Sequence, residues 1–300
     1  MNSFRKKLER GFTLTFESDP PKNVSPARSL ELIAPYVNSY DAVMIADCTF
    51  ATLRMSNLAF AALVRQRYGV PIVMHQTARD MNILGMHAHL MGAWALGIEN
   101  LLLMTGDPPR FGSFPNATPV YDVNSVKLVE VARRLNDGDV QMHGQEAIKG
   151  TTDFHIGVVA NPYVPNLKAE VDRLRKKCQN GAHFVVTQPV FDVRTCERFL
   201  EYAADIPIKK IIGVMAVKSF QNCLNIASLS PDLFIPAEVY ERMQANDTPE
   251  EGIAIAKDFI HAVKDRVDGI HIFPLHRYSI LKEFTEFRVQ DSGDAVAEAS

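Results

Sequence analysis

Residues 100–107 read NLLLMTGD: an unbroken apolar run, then a threonine, a glycine and an aspartate. A run apolar at consecutive positions is apolar on both faces of an extended chain. That is the pattern of a strand buried between two layers, as in a parallel sheet. The polar residue at its end has left the core. The same shape recurs at 12–17 (FTLTFE), 41–47 (DAVMIAD), 71–77 (PIVMHQT), 154–162 (FHIGVVANP), 183–189 (HFVVTQP), 208–215 (IKKIIGVM) and 269–275 (GIHIFPL). Eight such runs, most of them separated by long amphipathic segments, predict a single-domain (β/α)8 TIM barrel. The strand exits of that fold form one rim, where its chemistry sits. The rim then holds Glu17, Asp47, His75, Asp107, Asn161 and Gln188.

Between the runs, apolar residues at helical spacing predict helices near 26–38, 52–68, 80–97, 124–136 and 166–179. The second stops naturally at Gly69 before Pro71. The third, DMNILGMHAHLMGAWALG, is almost wholly apolar, which predicts an Asp80 cap and burial on more than one side. Residues 108–123 carry four prolines and form a long rim loop after the fourth strand. An extra helical segment is expected near 236–246, after the seventh strand, and residues 288–300 form a polar C-terminal tail.

Three hundred residues with no Pro/Gly/Ser-rich linker suit one barrel, whose usual size is about 250 residues. With 47% hydrophobic residues there is material for a large core, and a net charge of −3 gives no global attraction to nucleic acid or anionic membranes. Cys48, Cys178, Cys196 and Cys223 show no CxxC spacing, which fits reduced thiols in a cytoplasmic protein. The basic start MNSFRKKLERG lacks the apolar stretch of a signal peptide, and no run approaches the roughly 18 apolar residues of a membrane span. The expectation is a soluble cytoplasmic protein whose outer helices leave room for a homo-oligomer or a partner subunit.

Two carboxylates on one rim point to proton handling. Glu17 precedes Pro20-Pro21, and Asp107 follows Gly106 and precedes Pro108-Pro109. Alone, Asp107 reads equally well as a turn residue and Glu17 as a solvated rim charge; together, in rigid turns, they suit acid–base work. The Gln188 amide both donates and accepts, which suits the edge of a heterocycle as well as it suits a buried backbone group. His75 serves as base, ligand or hydrogen-bonding residue. The histidines form no HxxxH pair, so a metal site is not expected. Neither GxGxxG nor GxxxxGK occurs. Arg173, Arg175, Lys176 and Lys177 crowd one helix, a solvated face from which Lys177 could reach a cofactor phosphate. Tyr121, Phe220 and Phe273 lie near strand exits, as stacking faces or as core; Arg277 is a candidate for an anionic substrate group.

Taken together, FE..PP, the H.T..D.N segment at 75–82, TGDPP, GA.F..TQ.VFD and the closing FPLHR resemble the methylenetetrahydrofolate reductase family over about residues 10–285. The wording of MGAWALGIENLLLMTGDPP, YDVNSVKLV and NGAHFVVTQPVFD is similar to the reductase half of bifunctional homocysteine methyltransferase–methylenetetrahydrofolate reductases. The resemblance implies a barrel that uses FAD, with NADH or NADPH as donor, to reduce 5,10-methylenetetrahydrofolate to 5-methyltetrahydrofolate. It implies Glu17 as general acid and Asp107 between flavin and pteridine. Gln188 would hold the pteridine and Phe220 would stack on the substrate, with Arg277 a further substrate-binding candidate. Asp47, His75, Thr105, Gly106, Tyr121, Asp122, Asn161 and Lys177 fall at FAD-contacting positions. Departures from the family pattern are Ser18 and Asp19 before the prolines, Ala216 for a proline, and Asn161 and Pro165 for an aromatic and a histidine. Two alternatives are a flavin- and folate-binding subunit fed by a partner protein, and a flavin-free pterin-binding barrel methyltransferase.

Overall fold

The computed structural model describes residues 3–140, 147–229 and 233–289. Helix α1 (Ser3–Arg10) precedes the alternation β1 (Thr13–Ser18), α2 (Ala27–Ile33), β2 (Ala42–Ile45), α3 (Asn57–Tyr68), β3 (Ile72–Thr77), α4 (Ile83–Ala95), β4 (Asn100–Met104) and α5 (Ser125–Asp137). It continues through β5 (His155–Ala160), α6 (Leu167–Gln179), β6 (Phe184–Pro189), α7 (Val193–Tyr202) and β7 (Lys209–Val214). Then come α8 (Phe220–Leu229), α9 (Ala237–Ala245), α10 (Pro249–Val263) and β8 (Gly269–Ile272). The strands are parallel, in chain order, and β8 closes on β1 through Thr15↔His271. All eight expected runs are strands, and α9 is the expected extra helix. Residues 230–232, and 290–300 of the expected tail, lie outside the described residues. Among the described residues no helix is long and apolar enough to cross a membrane.

Alternate positions on each strand serve two layers. Leu14, Phe16, Val43, Ile45, Leu101, Leu103, Ile212 and Ile272 face the helices. Ala42, Met44, Val73, Leu102, Phe184, Val186 and Ile211 fill the barrel. Phe4 and Leu8 of α1 join this inner cluster, four residues apart on one face of the helix. The basic N-terminal segment is thus a plug for one end of the barrel, a role its charge concealed. Phe4 meets Phe184 edge-on at 5.8 Å. A Cβ on Gly157 would lie 2.2 Å from the Phe184 ring, so only glycine admits that ring. Gly157→Ala is expected to cost about 1–3 kcal/mol by overpacking, read as a lower urea midpoint; an unchanged midpoint would show that Phe184 has room to move.

Helix α4 corrects two expectations. Its cap is Asn82, whose side chain accepts from Gly85 N at 2.9 Å, because Asp80 is engaged by the Arg79 guanidinium at 2.7 Å. It also buries one face only, through Met86, Leu90 and Ala93, leaving Ile83, Leu84 and Met91 exposed. A barrel helix has a single sheet to lean on, however apolar its sequence. The segment expected as one helix at 26–38 ends as α2 at Ile33, with Pro35 before a short 3-10 turn at Val37–Ser39.

Candidate active site

At the strand exits the inner layer gives way to a cavity of about 370 Å³, within the usual range for a ligand site. Glu17, Asp47, His75, Thr105, Gly106, Asp107, Asn161, Lys177 and Gln188 all line it. Tyr121 and Asp122 stand behind the wall: the Tyr121 hydroxyl donates to Gly106 O at 3.3 Å, and Asp122 accepts from Ile83 N at the start of α4. Phe220 and Arg277 lie outside the lining. Phe220 heads α8 and packs edge-on against Tyr240 at 6.1 Å, while Arg277 donates to Ala216 O. The lining also includes His271, Phe50, Glu170 and Phe273. Of these, Phe273 carries a sequence signal as an aromatic at a strand exit. His271 was detectable as an inward position on β8.

Glu17, the penultimate residue of β1, is half-buried at the wall of the cavity. Burial, assisted by the charge of Asp19 and opposed by Arg54, pushes its carboxyl up from 4.5 to about 8. At neutral pH it is therefore a protonated acid. Asp107 has a different setting: its Oδ2 accepts the backbone N–H of Phe50 at 2.8 Å. The turn carrying that N–H is strained, with positive φ at Cys48, Phe50 and Ala51 (46°, 53° and 51°). Gly106 supplies the bend before Asp107 at φ 89°, and a Cβ there would lie 2.8 Å from Thr77 Cβ. The TGD segment must therefore keep its glycine.

Gln188 reaches the cavity through an irregularity. The β6–β7 register shifts between Val186 and Pro189, and Gly213 N donates to the Thr187 hydroxyl at 2.9 Å in place of a ladder partner. A side chain on Gly213 would meet Thr187 O at 2.5 Å, so the shift depends on that glycine.

Two neutral imidazoles share the interior. Burial pushes His75 down to about 3, and burial with the neighbouring His75 holds His271 far below its usual value. The Nε2 of each is buried without a hydrogen-bond partner, although both residues line the cavity. Such atoms are uncommon in a folded protein and mark a place where a ligand can supply the missing bond. Asp47 Oδ2 accepts from Thr77 N and Oγ1 at 2.9 and 2.8 Å. Lys177, buried and lowered to about 8 by that burial, donates to Val159 O at 2.8 Å. Beside it Glu170 accepts Asn161 N at 3.1 Å and pairs with Arg173 at 3.1 Å. One wall thus offers cations and the rim offers carboxyls. Among the described residues no three His, Cys, Asp or Glu side chains are grouped to hold a metal.

A family model described as methylenetetrahydrofolate reductase matches residues 3–287. A 5,10-methylenetetrahydrofolate reductase of Buchnera aphidicola subsp. Schizaphis graminum is 21% identical over 92% of this chain and 93% of its own length. The Escherichia coli (strain K12) 5,10-methylenetetrahydrofolate reductase is 25% identical over 71% of this chain and 69% of its own. A Caenorhabditis elegans protein named probable methylenetetrahydrofolate reductase (NADPH) is 27% identical over 63% of this chain, which spans only 27% of that longer protein. Among solved structures, a tryptophan synthase complex from Pyrococcus furiosus aligns with a TM-score of 0.51 at 14% identity, over 92% of this chain and 91% of that one. That likeness concerns the barrel alone.

Proposed function

The chain belongs to the methylenetetrahydrofolate reductase family, and from that premise we propose that it reduces 5,10-methylenetetrahydrofolate to 5-methyltetrahydrofolate, with FAD as cofactor and NADH or NADPH as electron donor. The observation that carries this reading is the pair of carboxyl groups on one cavity in opposite environments. Glu17 is protonated, whereas Asp107 is an acceptor fixed by a backbone N–H. Reduction of the folate needs both. An acid must protonate the ring nitrogen as the five-membered ring opens, and a negative group must favour the iminium cation that accepts the hydride.

The lining suits a flavin. The unpartnered Nε2 atoms of His75 and His271 offer hydrogen bonds to a polar heterocycle, and the Lys177 ammonium suits an anionic group. Asp47, His75, Thr105, Gly106, Asn161 and Lys177 would hold it, with Tyr121 and Asp122 supporting the loop and helix behind them. When bound, FAD supplies the two-electron hydride chemistry that no side chain possesses. Gln188 would read the pteridine edge from the shifted end of β6. Phe50 and Phe273, which line the cavity, are better placed to stack on a flat ligand than Phe220, which does not. One cavity for both substrates gives a ping-pong order.

The test is anaerobic. Flavin-loaded protein reduced with dithionite should regain its visible absorption when methylenetetrahydrofolate is added; a spectrum that stays bleached overturns the reading. Bleaching of the oxidised protein by NADH or NADPH identifies the donor, and bleaching by neither would favour a partner protein.

A further inference from the structure

Helix α4 (ILGMHAHLMGAWA) contains no Asp, Glu, Lys or Arg. Its inner face meets the barrel through Met86, Leu90 and Ala93. On the outer face Leu84, Ala88, Met91 and Ala95 are all exposed, Leu84 by 75% and Met91 by 46%. Their spacing of four, three and four residues lays them in one stripe along the helix. Ile83 and Leu96, also exposed, extend it at the two ends. A contiguous apolar patch on a protein surface marks an interaction site. The stretches outside the described residues, 141–146 (QMHGQE), 230–232 (SPD) and 290–300 (QDSGDAVAEAS), have no apolar run to lay on it. An uncharged stripe also offers nothing to a partner that binds through charge.

What fits this stripe is the stripe itself, run the other way. In a two-fold pairing every contact occurs twice, residue i on j and j on i. Leu84 with Ala95 and Ala88 with Met91 share one midpoint, between residues 89 and 90. A two-fold axis there sets each large side chain over a small one, an alternation that lets two helices interlock. The charges around the stripe agree with that direction. At the head of α4 exposed Asp122 accepts Ile83 N at 3.0 Å, and just past its foot exposed Arg65 donates to Gly97 O at 2.8 Å. Antiparallel copies bring the Asp122 end of one beside the Arg65 end of the other. On neighbouring α5, Lys127 and Arg134 both pair with Glu130, at 2.9 and 3.4 Å, a polar border to an apolar centre. We propose that α4 is a homodimer interface, its Leu84–Ala95 stripe packed antiparallel on the same stripe of a second copy of this chain. None of these residues lines the cavity, so the inference stands apart from the proposed reaction.

Sedimentation of the whole protein at micromolar concentration is expected to give twice the mass of one chain. Met91→Glu, which sets a charge over the partner's Ala88, is expected to weaken the dimer by about 10²-fold or more. Ala88→Lys, which sets one over the partner's Met91, should do the same. Because residue 88 of one copy meets residue 91 of the other, mixing the two variants should restore a dimer with one chain of each. A variant that had merely misfolded could not be rescued by mixing. The proposal is overturned by a parent that sediments as a single chain, by a Met91→Glu variant that keeps the parent's mass, or by a mixture that stays monomeric. A single-chain parent that floats with phosphatidylcholine vesicles would overturn it in favour of a lipid surface.

Discussion

Glu17→Gln is expected to slow reoxidation of the reduced flavoprotein by methylenetetrahydrofolate by about 10²–10⁴-fold, the usual worth of a general acid, while flavin reduction by the nicotinamide donor is unchanged. Glutamine keeps the size and the neutral polar character that the site already holds, so what is removed is the transferable proton. In the parent protein the folate half-reaction should fall as pH rises through about 8, where Glu17 ionises; the variant should show no such limb. Stability gives an independent check. The unfolded chain releases this proton near 4.5 and the folded protein only near 8. Between those values the folded state holds the extra proton, so its stability falls with rising pH, by up to about 1.4 kcal/mol per pH unit. Glu17→Gln removes that slope: it should match the parent near pH 4 and exceed it at pH 8 in urea denaturation. Equal loss of both half-reactions would reject the acid role, and a variant less stable than the parent at pH 8 would reject the neutral carboxyl.

Asp107→Ala is expected to damage both chemistry and structure. Loss of a charge placed to favour the folate cation should slow reoxidation by about 10²–10³-fold. The Phe50 N–H also loses its acceptor, in a turn where three non-glycine residues already hold positive φ. That should lower stability by about 1–3 kcal/mol, measured as a shift in the denaturant midpoint. Asp107→Asn separates the effects, because its amide oxygen still accepts the Phe50 N–H while the charge is gone. It should recover most of the stability and remain slow. A fast asparagine variant would mean that the carboxylate serves only to hold the turn.

The rim residues were legible because a strand exit is a local event. NLLLMTGD and FTLTFESDPP announce where apolar chain stops and polar chain begins, whatever the rest of the molecule does. The misreadings are equally local in origin. Asp80 looks like a cap until Arg79, its own neighbour, takes it, and α4 looks buried all round because composition does not say how many surfaces it can lean on. In the folded chain Phe220 packs edge-on against Tyr240 and Arg277 donates to Ala216 O, contacts that strand-exit position does not reveal. Phe4 and Leu8 hid in a basic segment, although their spacing was a helical face.

By itself, then, the amino-acid sequence determined the strands, their order and the set of polar groups at their exits. A parallel strand covered on both sides must be apolar throughout, and its end must show. Tertiary structure alone decided which of those groups share one cavity. It also decided that a register shift beside Gly213 accompanies the entry of Gln188 into the cavity, and that Arg54 pairs with Asp19, far back along the chain at the β1 exit. These are contacts between residues distant along the chain, made only when the barrel closes. The protonation of Glu17 follows from them, because it depends on burial and through-space charge.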